Sequence, residues 1–547
     1  MNISSRSFVL SLLALAGAAM AAESAPVRLN GLMVDAARAP ESVEYYRRMI
    51  DFCADWGLNA LLFRVADDQG TAVRFASHPE LITHADALTP AQVRELAAYA
   101  QQRHIELIPE IESFGHTGFI TRVPQYASLG DARPGAGQFR GLIPVDPRGL
   151  ALLTDLYREA ATMFSSPYLH IGCDEVNWGG SDLSQAALKT KSRAMIWAEY
   201  LNKLDAAARS FNKQAIVWGD HVLQKEPEIL TYLNKDVMIM DWDYGVTDQA
   251  IIEKRTRQAL DAGFRVAGGP AWDYCRWGPR AGSSQLRNID AYADVYRRIN
   301  DPRALGVIVT NWVPTRYLQG AIWDAMAYAA VDVTEGSAAA KDSAFRRFVE
   351  KFYGATWNDT WADIFQTYYD NTPQRRSCSS GRQGPLLQAP WASDDDLRRV
   401  FVAQPVTAPP FTRLLSQMAM VEPAVRKHYE DFRAFRLSAE YLEQVFWRDG
   451  AIVEAAGKIA HPEDAQPLLE TIAQRDRRIY DALDREWNQG RAPNSPMKTE
   501  QLDSLRPEDQ LLMRFHQATD YSTRLAEHPD HLHEVVPTKS AAGQQQR

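Results

Sequence analysis

Eight short apolar runs recur between Val27 and about Ala340, and longer amphipathic stretches separate most of them. The runs are RLNGLMVD, NALLFRV, IELIPEI, YLHIGC, AIVWGD, VMIMDW, FRVAGG and GVIVTNW, with segments such as SVEYYRRMIDFCADWG and ALLTDLYREAATMF between them. Short runs of this kind suit strands covered on both faces, and an amphipathic helix is the crossover that returns a chain to a parallel strand. The pattern predicts an α/β fold, a (β/α)8 TIM barrel. A doubly wound sheet is the competing architecture, but it more often carries a Gly-rich turn after its first strand, and none follows the first run here.

After about Asp342 the character changes. Apart from NTPQRRSCSSGRQGPLLQAPW, the remainder reads as helices, including AVRKHYEDFRAFRLSAEYLEQVFW and AQPLLETIAQRDRRIYDALDREW. A chain of 547 residues, 46% hydrophobic, is too long for one ordinary domain. The expected division is a catalytic barrel over 22–345, a mainly α-helical C-terminal domain over 346–530, and a polar, frayed tail over 531–547 with His531 and His533 solvated. At the other end, FVLSLLALAGAAM is too short to span a bilayer and leads into AMA, a small-x-small cleavage pattern. Residues 1–21 therefore predict a signal peptide and an exported, periplasmic protein with no membrane span.

A net charge of -9 and a pI near 5.8 offer no long-range attraction to phosphate backbones, so nucleic acid is not an expected partner. Cys53, Cys173, Cys275 and Cys378 form no CxxC pair, which argues against a zinc ribbon and predicts mostly buried free thiols.

In a barrel of this kind the residues after each strand share one mouth. The runs deliver Asp35 and Arg38, then Asp67 and Asp68, then Glu110, Glu112 and His116, then Asp174 and Glu175, then Trp218 with Asp220, Trp242 with Asp243 and Tyr244, AWDYCRW, and finally Asn311 and Trp312. Carboxylates beside Trp and Tyr suit a sugar: the flat face of a pyranose stacks on a ring while charged groups fix its hydroxyls.

In order along the chain, DAAR, NALLFRVADDQG, PEIESFGHTG and HIGCDEV, followed by Trp218, Trp242 and Trp312, resemble the family 20 glycoside hydrolases, the β-N-acetylhexosaminidases, and especially their hexosaminidase D-like branch. The resemblance spans nearly the whole barrel. It implies an exo-acting, retaining hydrolase of terminal β-linked N-acetylglucosamine or N-acetylgalactosamine, in which the substrate's own acetamido oxygen attacks the anomeric carbon. Glu175 would be the general acid/base and Asp174 would hold the acetamido group. Asp67 and His116 would tune Glu175, and Arg38 would grip the sugar hydroxyls. Trp218, Trp242 and Trp312 would wall the pocket, and Tyr244 or Tyr274 would meet the acetamido oxygen. No metal or other cofactor is implied. The chain departs from the family where it has Glu112 for a common Asp and Trp312-Val313-Pro314 for Trp-x-Glu, which leaves the choice between gluco and galacto epimers open. Two other readings of the acids are a metal-dependent hydrolase on the same barrel, which would want His-x-His after the first strand, and a non-catalytic sugar-binding barrel, which would not need both Asp174 and Glu175.

Overall fold

The computed structural model describes residues 28–131, 141–273, 283–371, 390–403, 411–492 and 511–536. The N-terminal segment expected to be a signal peptide, Tyr274, Cys275 and Cys378 lie outside them. The strands are β1 (Gly31–Val34), β2 (Ala60–Asp67), β3 (Gly70–Val73), β4 (Thr83–Leu88), β5 (Glu106–Ile111), β6 (Tyr168–His170), β7 (Gln214–Trp218), β8 (Met238–Asp241), β9 (Arg265–Gly268), β10 (Ala271–Asp273) and β11 (Ala304–Asn311). β1, β2, β5, β6, β7, β8, β9 and β11 pair in parallel in that order, and β1 closes the ring by pairing with both β2 and β11. Closure excludes the doubly wound sheet. Each of the eight apolar runs supplies one barrel strand. β3 and β4 extend β2 outward at the mouth, and β10 adds to β11; the sequence reading missed these three.

Helices cover the outside for reasons visible in the sequence. The helix Val43–Asp55 starts where the Ser42 side chain accepts the Tyr45 N–H, and it buries Tyr45, Tyr46, Met49, Ile50, Phe52 and Cys53. The helix Pro90–Gln102 begins with a reciprocal capping box between Thr89 and Gln92 and a proline in its first turn.

Strand alternation sorts the barrel interior from its wall. Along β2, Ala60 and Leu62 face inward with Ile108, Ile216, Met238, Met240 and Ile308, whereas Leu61 and Phe63 face the helices. The same parity turns Arg64, Glu110, His170 and Trp218 inward above that apolar plug, so the barrel changes from apolar to ionic one layer below its mouth.

Beyond the barrel the chain is helical among the described residues, including two helices of 29 residues each, Tyr429–Gly457 and Pro462–Gly490. Asp431 binds the first of them to the barrel helices through Arg48 at 2.6 Å and the Trp323 indole at 3.1 Å. The expectation of a frayed tail from 531 does not hold for its first residues: Leu532–Val535 is a helical turn, with Leu532 and Val535 buried, and His531 lies 3.0 Å from Asp394. Among the described residues no helix is long and apolar enough to cross a membrane.

Candidate active site

Arg64 anchors the mouth from below. Its guanidinium is fully buried and pairs with Asp67, Glu110 and Glu112, the last at 2.8 Å, with Asp35 at 3.8 Å. Arg38, only 12% exposed, lies above it between Asp35 at 2.9 Å and Asp67 at 3.0 Å. Both guanidiniums lie over the Trp312 ring, at 5.2 Å for Arg38 and 4.8 Å for Arg64. Two cations cannot keep every neighbouring carboxylate ionised in so dry a place. Burial works to raise Asp67, but Arg38 and Arg64 outweigh it and hold it well below the usual carboxylate range. Burial wins at Glu110, pushed up to about 7, and at Glu112, pushed well above its ordinary value with Asp174 adding to the effect.

After β6 the backbone turns sharply. Gly172, Cys173 and Glu175 have positive φ values of 65°, 75° and 48°, conformations that cost a non-glycine residue on the order of 1–3 kcal/mol unless its surroundings enforce them. At 172 only glycine fits, because a Cβ there would lie 2.0 Å from Glu112 Oε2. Side chains from neighbouring strands then hold the amides. Cys173 N–H donates to Glu112 at 3.0 Å, Glu175 N–H to Asp220 at 3.1 Å, and Val176 N–H to His221 Nε2 at 3.2 Å. Lys225 pairs with Asp220 at 2.7 Å, and His221 stacks on Trp197 with centroids 4.1 Å apart. Burial lowers His221 to about 4, so it stays neutral and able to accept.

This turn presents two unlike acids. The Asp174 side chain is 9% exposed and that of Glu175 is 43% exposed. His116, itself at φ 46°, lies behind both, with Nε2 at 3.4 Å from Glu175 and 3.6 Å from Asp174. Its other nitrogen meets Asp68 at 3.0 Å; the same Asp68 accepts the Gly118 N–H at 2.9 Å. Here the sequence reading is corrected. Asp67, expected to support His116, is 3.9 Å from it and is occupied by the two arginines; Asp68 is the partner.

The charges follow from these contacts. Burial opposes a charged His116, yet Asp174, Asp68 and Glu175 lift it well above its ordinary value. Burial raises Asp174 despite His116 and Arg64. Burial also acts to raise Glu175, but the His116 hydrogen bond and charge, with Lys225 and Arg38, bring it below the usual range. Burial thus favours the proton on Asp174, and the contacts of Glu175 favour its anion.

The aromatic residues converge as expected, in different roles. Trp218 is 1% exposed; its indole donates to Glu110 at 2.8 Å and it forms the floor rather than a wall. Trp312 is 5.8 Å from Trp218, and its indole donates to the Tyr244 hydroxyl at 2.8 Å. Trp242 and Tyr244 stack at 4.9 Å and are partly open to solvent. The functional residues that sequence reading missed are Arg64, His221 and Lys225, of which strand alternation gave a signal only for Arg64; that reading places Asp68 at the mouth but gives it no role.

Among the described residues two groups of ligand atoms are close enough for a metal, Asp67–Asp68–His116 and His116–Asp174–Glu175, each within 4.8 Å. They share one imidazole, and Asp67 already neutralises two guanidiniums, so the donor set is poor in histidine and rich in competing cations.

A parallel barrel thus brings an acid pair, a histidine and aromatic rings together at the C-terminal ends of its strands, an arrangement whose chemistry suits a sugar. Residues 28–271 match the family model described as glycosyl hydrolase family 20, catalytic domain. β11, Trp312 and the C-terminal helices lie beyond the matched residues. Among similar proteins, the β-hexosaminidase of Vibrio furnissii is 25% identical over 270 residues, covering 43% of this chain and 42% of that protein. The chitooligosaccharidolytic β-N-acetylglucosaminidase of Ostrinia furnacalis is 27% identical over 277 residues, covering 44% and 46%. The β-N-acetylhexosaminidase of Cellulomonas fimi is 31% identical over 168 residues, covering 27% and 33%. The chain spans less than half the length of the curated relatives named here.

Proposed function

We propose that the protein is an exo-acting, retaining β-N-acetylhexosaminidase that removes terminal β-linked N-acetylglucosamine or N-acetylgalactosamine through an oxazolinium intermediate. The observation that carries this reading is the pair of adjacent acids on one strained turn, one buried and one open, with His116 behind both.

On this reading, the sugar rests against Trp218 and Trp312, Arg38 grips its outer hydroxyls, and Glu175 meets the glycosidic oxygen. The acetamido N–H lies on Asp174, and the carbonyl oxygen attacks the anomeric carbon. Burial favours the proton on Asp174 while His116 favours the Glu175 anion, the reverse of what this chemistry needs, and the substrate itself supplies the correction. An amide N–H donating to Asp174 stabilises its anion, and an anion one residue away raises Glu175. Binding an acetamido sugar thus favours the proton on Glu175, the acid that must give it away. Once the leaving group has departed, Glu175 is the base for the incoming water, and Asp174 stabilises the cationic oxazolinium ring. Export remains part of the proposal and rests on the apolar segment before Ala21.

The test is hydrolysis of matched chromogenic β-N-acetylglucosaminide and β-N-acetylgalactosaminide, with 1H NMR of the first-formed anomer. Release of the β-anomer is expected. No hydrolysis of either glycoside, or release of the α-anomer, would defeat the proposal.

A further inference from the structure

The helix Pro462–Gly490 ends against the barrel mouth, and the residue that follows it, Arg491, is buried there at 7% exposure. Its backbone bridges to Glu41. Its guanidinium meets three acceptors at once: Glu41 Oε1 at 2.5 Å, the Pro314 carbonyl at 2.6 Å and the Tyr317 carbonyl at 2.7 Å. Trp487 stacks on it at 3.8 Å. A planar fork of donors can serve this arrangement, and a lysine cannot reach all three acceptors.

The acceptors belong to the two loops that carry the sugar-gripping residues. Glu41 closes the loop that begins at Asp35 and bears Arg38; its other carboxylate oxygen takes the Gln319 amide, and its N–H donates to the Tyr46 hydroxyl at 2.8 Å. Pro314 and Tyr317 belong to the loop after β11 that follows Trp312. On the pocket side the two loops meet a second time, at Asp35 Oδ2. That one oxygen accepts Arg38 Nη1 at 2.9 Å and the Val313 N–H at 3.0 Å, with Val313 held at a left-handed φ of 53°. Trp312, Val313 and the Arg38 guanidinium are therefore fixed between an inner pin, Asp35, and an outer pin, Arg491. At 314, where the resemblance leads one to expect a glutamate, the chain has a proline whose carbonyl is tied to the helical segment instead.

We propose that Arg491 is a positioning residue for the sugar pocket: through it the C-terminal helical segment sets the spacing of the Arg38 loop and the Trp312 loop. The proposal rests on the hexosaminidase reading for its consequence, though not for its geometry. Without Arg491, two buried carbonyls and a buried carboxylate lose their shared donor and the loops separate, while Asp174, Glu175 and His116, on the turns after β6 and β5, stay in place. The loss falls on binding, because Arg38 and Trp312 touch the sugar away from the bond that breaks.

The test uses the full chain with Arg491→Ala, Arg491→Lys and Glu41→Gln. Hydrogen exchange reads the holding directly: peptides covering 35–41 and 313–317 of Arg491→Ala should exchange about tenfold faster, with β7 and β8 unchanged. On the chromogenic substrate, KM should rise about tenfold or more with kcat within about threefold, and Arg491→Lys should fall between wild type and alanine. Should Arg491→Ala fail to fold, Arg491→Lys and Glu41→Gln decide by the same two readouts. Unchanged exchange in the two loops overturns the proposal, and so does faster exchange with KM unaltered or with the loss confined to kcat. A wild-type protein inactive on both glycosides would defeat the functional reading, while the exchange result would still decide whether Arg491 holds the loops.

Discussion

Asp68 and His116 meet at 3.0 Å, Oδ2 to Nδ1, and the far nitrogen of the same ring faces Glu175 at 3.4 Å. The imidazolium stands between two carboxylates, so a change at Asp68 must be felt at Glu175, which it never touches. Asp68→Asn removes an anion that favours charged His116, and a less cationic His116 depresses Glu175 less. The pH limb of kcat/KM set by Glu175 should therefore move upward, with kcat reduced about 10- to 100-fold. Asp67→Asn should instead loosen Arg38 and act mainly on KM. Steady-state kinetics from pH 4 to 9 separate the two; an unmoved limb in Asp68→Asn would break the proposed relay.

Glu175→Gln keeps the shape of the side chain and removes its proton. A substrate with a poor leaving group should slow by on the order of 10²-fold or more, and one with an activated leaving group by less, since the activated group departs without a proton. Equal losses on both would assign Glu175 another role.

The sequence made the barrel legible because its strands are mostly apolar and its helices announce their caps. It also placed the acid pair, His116 and the aromatic residues at one mouth, since strand ends converge there whatever the loops do. The residue pattern could not choose between Asp67 and Asp68, and the resemblance pointed to Asp67. The register slips between Arg64 and Ala66 opposite β5, so simple alternation fails one step before the pair and both residues remain eligible. Arg64 reads as an outward charge until its parity with Ala60 and Leu62 is counted. Asp220 and His221 bind backbone amides, which leave no mark in the partner's sequence. Arg491 lies about 450 residues from Glu41, beyond any local pattern.

Asp332, buried between the helices that follow β10 and β11, makes a prediction about stability. Burial, together with Asp290 and Asp294, raises it to about 9 against Lys341. The folded protein thus holds a proton that the unfolded chain releases near 4, so this group lowers stability progressively as pH rises from about 4 to 9. Asp332→Asn removes that dependence. Urea midpoints should shift in favour of the variant by more at pH 8 than at pH 5, and a shift independent of pH would show that Asp332 is ionised in the fold.

The mechanism can be tested through the substrate, because the proposed nucleophile is part of the sugar. Replacing the acetamido group by hydroxyl removes the attacking oxygen and the N–H that would keep Asp174 ionised. A plain β-glucoside should therefore be almost inert, and a thiazoline analogue of the oxazolinium ion should inhibit strongly, as a mimic of the species the site stabilises. Asp174→Asn keeps the size of the side chain but loses the anion, which should cost about 10²- to 10³-fold in kcat on acetamido substrates, the scale of removing one preorganised charge-stabilising contact. The thermal midpoint should change far less, since burial already works against the Asp174 anion that the substitution removes. Mass spectrometry after incubation with a 2-fluoro glucoside gives the contrary outcome its chance: a sugar found bonded to a carboxylate of this chain would mean that the protein supplies the nucleophile, and that Asp174 serves something other than the acetamido group.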